Sequence, residues 1–165
     1  MKRLSILLLI LLGAGLVRAQ SDITTFILVR HAEKMNDGTK DPELSEAGKK
    51  RAELLATLLK RTKIDAIYTT AFKRSRNTVV PLAVSKGLGV VAYDPADLTE
   101  IDRIFEKWRG GTVVLCGHSN TIPAVINYLT DDKDKVQTFA DDEYSNLVFV
   151  VLSERHKTKV TWLTY

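Results

Sequence analysis

Two short, largely apolar runs in this chain each lead to a histidine. Residues 25–29 precede Arg30 and His31, and residues 113–117 precede His118. Both runs are apolar at consecutive positions, a pattern typical of strands buried on both faces of a parallel sheet. Because ligands of open α/β sheets bind beyond the carboxyl ends of the strands, the pattern predicts that the two imidazoles share one crevice.

Helical periodicity alternates with these strand-like runs. Ser45 is the predicted N-cap of a helix with apolar residues at helical spacing, and a second helix is expected from near Phe72, with Pro81 producing a kink or a break. The remaining predicted elements are strands at 64–69, 90–93, 147–152 and 160–165, helices at 98–108 and after His118, and a charged turn at 153–159. This order predicts an α/β fold, a three-layer α/β/α sandwich around a mainly parallel central sheet.

The residues after His118 predict an anion site. Positions 119–123 combine helix-capping side chains with a proline suited to a first helical turn. A helix N-terminus beyond a strand favours an anion such as phosphate. Arg74 is expected in the first turn of the second helix, where its planar guanidinium would match phosphate oxygens; a solvated basic helix start is the alternative.

A metal site is a competing interpretation of the histidines. Imidazole together with Glu33 or Asp37 could bind zinc. However, the single cysteine, Cys116, lies inside an apolar run, and no ligand pair has the spacing of a helical or knuckle site. We therefore expect no metal.

The first 19 residues have the pattern of a secretory signal. Lys2 and Arg3 precede an almost wholly apolar stretch that ends before small residues, which predicts cleavage after Ala19 and a mature domain at 20–165. The apolar stretch is short for a bilayer span, so a retained membrane anchor is the less favoured alternative. The expected location is secreted or periplasmic.

Removal of the signal changes the charge balance. Without Lys2, Arg3 and Arg18, the 24 basic residues become 21, against 20 acidic residues. A nearly neutral domain disfavours nucleic-acid binding, which requires clustered positive charge. The expected partner is a small phosphorylated molecule.

Four motifs, in order along the chain, resemble those of the histidine phosphatase superfamily, the phosphoglycerate mutase-like clan. They are Leu28-Val29-Arg30-His31-Ala32-Glu33, Leu44-Ser45-x-x-Gly48, Tyr68-Thr69-Thr70 through Thr78, and Gly117-His118-Ser119-Asn120. The resemblance implies an α/β/α fold and phosphoryl transfer through a phosphohistidine, without metal or other cofactor.

The resemblance also implies roles for individual residues. His31 matches the nucleophile, while Arg30, Arg74 and His118 match the phosphate pocket, and Asn120 is expected to contact substrate. A Leu-x-Glu-Ile stretch at 98–101 resembles the segment that supplies the general acid. This resemblance makes Glu100 the first candidate for that role and Glu33 the second.

Departures from the family pattern narrow the function. Asn120 stands where acid phosphatases and phytases of the clan have aspartate, and Thr70-Ala71 replaces a common Ser-Pro. The chain is also short for a mutase. The sequence therefore predicts a small exported phosphatase acting on phosphomonoesters or related groups. A non-catalytic phosphate-binding or interaction module on the same fold is the alternative.

Overall fold

The computed structural model describes residues 23–133, 135–154 and 157–165. The predicted signal peptide at 1–19 lies outside the described residues. Among those residues, no helix combines the length and the apolar character needed to cross a membrane.

Strands and helices alternate for most of the described chain. In order they are β1 (Thr24–Arg30), α1 (Glu46–Leu58), β2 (Ala66–Thr69), α2 (Lys73–Lys86), β3 (Val90–Ala92), α3 (Thr99–Lys107), β4 (Thr112–Gly117), α4 (Thr121–Thr130), β5 (Asn146–Glu154) and β6 (Lys157–Thr164). The strands form one sheet in the order β3-β2-β4-β1-β5-β6. The first four strands are parallel, and β5 and β6 add to one edge in antiparallel orientation. The predicted mainly parallel sheet is confirmed.

Side-chain alternation along β1 produces the three layers. Phe26 and Leu28 point into a core shared with α3 and α4. Ile27 and Val29 point to the opposite face and pack with α1 and α2. All four side chains are fully buried, which explains why the strand is continuously apolar.

The register of the central strands brings the two histidines together. Arg30 of β1 pairs with Gly117 of β4, so the next residue of each strand is a histidine. The backbone N–H of His31 donates to the carbonyl of Gly117 over 2.8 Å. The predicted convergence of the two strand ends is therefore correct.

Three predicted details differ from the structure. Pro81 does not break the second helix, because α2 continues to Lys86 and ends only at the left-handed Gly87. The strand predicted at 64–69 begins at Ala66. The charged turn predicted at 153–159 is too long, since Glu154 and Lys157 already pair across β5 and β6, joined by a 2.8 Å ion pair.

Candidate active site

His31 is held in one tautomer by its own backbone. The residue is 4% exposed, and its Nδ1 lies 2.8 Å from the carbonyl oxygen of Ala32. A carbonyl can only accept, so Nδ1 carries the proton and Nε2 keeps its lone pair. Burial lowers the pKa of His31 to about 4, and coupling to the His118 ring and the charges of Arg74 and Arg30 lower it further. The ring is thus a neutral potential nucleophile at physiological pH.

His118 lies beside His31 in the candidate site. Its ring centroid lies 5.2 Å from that of His31, in an edge-on arrangement. Its Nε2 lies 2.9 Å from the hydroxyl of Thr70. Burial lowers the pKa of His118 to about 4, with further effects from Arg74 and Arg30. The imidazole is therefore neutral in the unliganded protein, whereas a stabilising role as a cation would require proton uptake when an anion binds.

Arg74 reaches His31 from the first turn of α2. Its Nε donates toward Nε2 of His31 over 3.3 Å, which is consistent with a lone pair on that nitrogen. Its Nη1 is buried without a hydrogen-bond partner and lies 3.6 Å from a carboxylate oxygen of Asp41. Burial lowers the pKa of Arg74, although the guanidinium remains charged at any ordinary pH.

Thr78 links this arginine to the loop that carries the nucleophile. Its Oγ1 accepts from the backbone N–H of Ala32 and donates to the carbonyl of Arg74, both over 2.8 Å. One fully buried hydroxyl therefore fixes the His31 loop relative to the start of α2.

Arg30 is buried under the segment 139–145, here called the 139–145 loop. Its Nη1 donates to the carbonyls of Ala140 and Glu143 over 2.6 and 3.0 Å, and its Nη2 donates to the carbonyl of Asp141 over 3.1 Å. The ring of Tyr144 lies 4.2 Å from the guanidinium carbon. The Nε of Arg30 is buried and has no partner.

The carboxylate of Glu33 forms an ion pair with Arg51, outside the pair of histidines. Arg51 donates from Nε to both carboxylate oxygens over 3.0 Å and from Nη2 to one of them over 2.7 Å. Burial raises the pKa of Glu33, but the hydrogen bonds from Arg51, a backbone hydrogen bond and the charges of Arg51 and Arg30 together leave the pKa below its ordinary value. The carboxyl is therefore ionised and unsuited to donate a proton near neutral pH.

The side chains of Glu100 and Asn120 form no hydrogen bond with either histidine. The carboxylate of Glu100 accepts from the backbone N–H of Asp94 over 2.7 Å and lies 3.7 Å from Arg103. Asn120 is exposed at the N-terminus of α4 and makes no side-chain cap. The roles proposed for these two residues therefore remain predictions.

Several residues around the site were not identified from the sequence. Thr70, Thr78 and Tyr144 contact predicted site residues, and Phe72 packs edge-on against His118 at 5.1 Å and lies 4.3 Å from Arg74. The sequence did contain a signal for Thr70 and Thr78, because both lie in the third motif. Tyr144 lies in a polar segment without a recognisable pattern.

The described residues contain no cluster of three or more histidine, cysteine, aspartate or glutamate side chains that could hold a metal ion. The donors present are cationic guanidinium groups, which suit an anion. Cys116 is fully buried in β4, and burial raises the pKa of its thiol. This cysteine is a packing residue, as predicted.

Comparison with known proteins relates this geometry to a family. A family model described as histidine phosphatase superfamily (branch 1) matches residues 26–103. Phosphoserine phosphatase 1 from Hydrogenobacter thermophilus is 44% identical over 90 residues, which are 51% of this chain and 41% of the relative. The match thus spans about two fifths of that relative's length.

Solved structures share the fold. The protein histidine phosphatase SixA complexed with tungstate gives a TM-score of 0.70 at 16% identity, over 85% of this chain and 96% of that one. Phosphoglycerate mutase from Bacillus anthracis gives a TM-score of 0.66 at 17% identity, over 88% of this chain and 94% of that one. The fold of the chain is thus phosphoglycerate mutase-like, and its residues 26–103, from within β1 to within α3, are similar to the histidine phosphatase superfamily (branch 1).

Proposed function

We propose that this protein is a phosphatase that hydrolyses phosphomonoesters through a phosphohistidine on His31. One observation carries the proposal: the lone pair on Nε2 of His31 lies 3.3 Å from Nε of Arg74, and Arg74 and the neighbouring Arg30 each bury an N–H without a hydrogen-bond partner. A buried unpaired donor costs about 1–3 kcal/mol unless a ligand satisfies it. A phosphoryl group would satisfy both donors and place phosphorus near the nucleophile.

The proposed reaction has two steps. Nε2 of His31 forms a bond to phosphorus while the bond from phosphorus to the ester oxygen breaks, and a carboxylic acid protonates that oxygen. The oxygen of a water molecule then forms a bond to phosphorus while the bond from phosphorus to Nε2 breaks, the carboxylate takes a proton from the water, and inorganic phosphate leaves with the imidazole restored. Arg30 and Arg74 stabilise negative charge on the transferring oxygens, which is the main catalytic demand in phosphoryl transfer.

His118 is proposed to gain a proton when phosphate binds. In the unliganded protein, burial and the neighbouring arginines hold its pKa at about 4. A bound dianion offsets the arginine charges and favours the imidazolium. Calorimetric binding of inorganic phosphate in buffers of different ionisation enthalpy should therefore reveal net proton uptake, and the absence of uptake would contradict this role.

Glu100 is the proposed general acid. Of the two candidates it is the one without a bidentate arginine partner, since Arg51 holds Glu33 ionised. We expect Glu100→Gln to slow esters of poor leaving groups far more than aryl esters, because only poor leaving groups need the proton. Glu33→Gln is the matched control and should show no such selectivity. Equal selectivity in both variants would sink the assignment.

The substrate class is proposed to be small phosphomonoesters. The name phosphoserine phosphatase 1 of the partial relative supports a phosphorylated small alcohol. The first test is hydrolysis of an aryl phosphate with chelator present, comparing the wild type with His31→Ala. His156→Ala replaces the histidine that lies outside all four motifs and serves as the control. Turnover retained by His31→Ala would refute the nucleophile, and loss of turnover with chelator would refute metal independence.

A non-catalytic phosphate-binding module is the second candidate function. Within the described residues, no carboxylate hydrogen-bonds to His31 or His118, so the free protein shows no acid poised at the nucleophile. That protein would bind inorganic phosphate without turning over any ester. The aryl phosphate assay combined with phosphate calorimetry separates the two functions.

Export is a separate part of the proposal and rests on the N-terminal sequence pattern. We propose that the chain is cleaved after Ala19 and acts outside the cytoplasm. Intact-mass measurement of the expressed protein should find a chain beginning at Gln20. A mass that still includes residues 1–19 would contradict cleavage.

A further inference from the structure

We propose that Tyr144 is a positioning residue that holds the Arg30 guanidinium so that one free edge faces the phosphoryl group. This inference rests on the proposed function, since it concerns how the same pocket binds phosphate. It assigns a role to a residue outside all four family motifs.

The hydrogen bonds of Arg30 leave a specific pair of donors. A guanidinium has five N–H groups. Both on Nη1 are used by the carbonyls of Ala140 and Glu143, and one on Nη2 is used by Asp141. The remaining two are Nε–H, which is buried without a partner, and the second N–H of Nη2. Nε–H lies on the same side of the planar group as one N–H of Nη2, and this edge of a guanidinium can bind two oxygens of one phosphate.

Tyr144 covers the flat face of the same guanidinium. Its ring centroid lies 4.2 Å from the guanidinium carbon of Arg30 and 6.0 Å from the ring centroid of His31, tilted by 56°. A cation over an aromatic face is attracted by the ring quadrupole, more strongly where water is excluded. The ring therefore restricts tilting of the guanidinium plane, while the three carbonyls restrict its rotation.

The 139–145 loop is anchored well enough to act as a support. The backbone N–H of Phe139 donates to the carbonyl of Ser119 over 3.0 Å, next to His118. The carboxylate of Glu143 accepts from the backbone N–H of Ala140 over 3.1 Å and from the side chain of Asn146 over 2.6 Å. The loop is thus tied to the chain just beyond β4 and to the start of β5.

The test is a double-mutant cycle on phosphate affinity and on aryl phosphate turnover. Tyr144→Ala should weaken inorganic phosphate binding, measured by calorimetry, by about tenfold and lower kcat/KM similarly. Tyr144→Phe keeps the ring and should recover most of that loss. In an Arg30→Ala background, Tyr144→Ala should add less than about twofold, because the group it positions is gone.

Controls separate positioning from general damage. Tyr128→Ala removes another half-buried tyrosine, one that bonds to Asp102 rather than to the site, and should lower Tm without weakening phosphate binding. If Tyr144→Ala does not fold, Tyr144→Leu keeps apolar bulk without the aromatic face and should show the same loss of affinity, with a Tm near that of the wild type.

Three results would overturn the inference. They are unchanged phosphate affinity in the Tyr144→Ala or Tyr144→Leu variant, effects that multiply fully with Arg30→Ala, or a Tyr144→Phe variant as weak as Tyr144→Ala. If the wild type itself bound no phosphate and hydrolysed no ester, the proposed function would fail instead. The two failures are therefore distinguishable.

Discussion

Acidification should destabilise this protein in a way that His31 accounts for. Burial lowers the pKa of His31 to about 4, whereas an exposed histidine in the unfolded chain titrates near its ordinary value of 6.5. Between these two pH values the unfolded state binds a proton that the folded state does not. The stability due to the neutral ring is therefore fully present above pH 6.5 and is lost as the pH falls toward 4.

The size of the effect follows from the two pKa values. The shift from 6.5 to about 4 gives a loss of about 2 kcal/mol between pH 7 and pH 5, and about 3 kcal/mol by pH 4. Only 4% of the His31 residue is exposed, so solvent screening takes little from this figure. His118 is shifted in the same direction but is more exposed, and its contribution is smaller for that reason.

Urea unfolding at pH 7, 5 and 4 measures the effect directly. His31→Asn removes the titrating group, so the difference in unfolding free energy between wild type and variant cancels the carboxylates common to both. From pH 7 to pH 4 we expect the wild type to lose about 3 kcal/mol more unfolding free energy than His31→Asn. Parallel loss of stability in both proteins would refute the burial argument. The ring would then titrate near 6.5, and its neutrality in the mechanism would lose its support.

Three further substitutions, two of them with a control variant, test the site and its support. Arg74→Lys should lower kcat/KM for an aryl phosphate by about 10²–10³-fold, because a lysine cannot reproduce the paired donors of a guanidinium. Activity within a few-fold of wild type would contradict the role of Arg74 in stabilising the transferring oxygens. Thr78→Val removes the acceptor for the backbone N–H of Ala32 and should cost about 1–3 kcal/mol in urea unfolding. Thr78→Ser should recover most of that cost, and equal losses in both variants would argue against the hydroxyl. Gly48→Ala places a Cβ against the backbone of the loop after the nucleophile and should destabilise the fold by about 1–3 kcal/mol. Gly89→Ala is the control, because its Cβ meets open space. Similar Tm values for the two variants would contradict the close packing of Gly48 against this loop.

The sequence predicted the parts of the fold that follow from periodicity. The run at 26–29 is apolar at consecutive positions because β1 is covered on both faces by helices, so the parallel sheet could be inferred before the structure. The edge strand β6 was harder to predict. Lys157–Thr164 alternates weakly and is mostly exposed, because β6 has one neighbour only, and the boundary of its turn was misplaced.

Pro81 shows why one of the two expected outcomes, a break in the helix, does not occur. A proline inside a helix usually interrupts it, yet α2 packs a continuous face of Val79, Leu82 and Ala83 against the sheet. That burial on both sides of the proline stabilises the helix beyond the one missing hydrogen bond. Tertiary packing of this kind cannot be read from the local sequence.

Some residues of the candidate site could be predicted from the sequence, and some of its contacts could not. His31, His118 and Arg74 were identified because each follows a strand or opens a helix at one edge of the sheet. The contacts of Arg30 with three carbonyls, and its cover by Tyr144, depend on the path of a loop more than 100 residues later in the chain. Every residue has a backbone carbonyl, so the residue types in the sequence do not show which distant carbonyls will accept hydrogen bonds from Arg30.

Trapping the covalent intermediate tests the central claim most directly. The purified protein is mixed with an aryl phosphate and chelator, quenched in base to preserve phosphoramidate bonds, and its peptides are examined by mass spectrometry. The proposed mechanism predicts phosphate on the peptide containing His31 during turnover, absent from His31→Ala and lost on mild acid treatment. Turnover by the wild type with no phosphate on His31 would contradict it, because the ester would then be cleaved without this nucleophile.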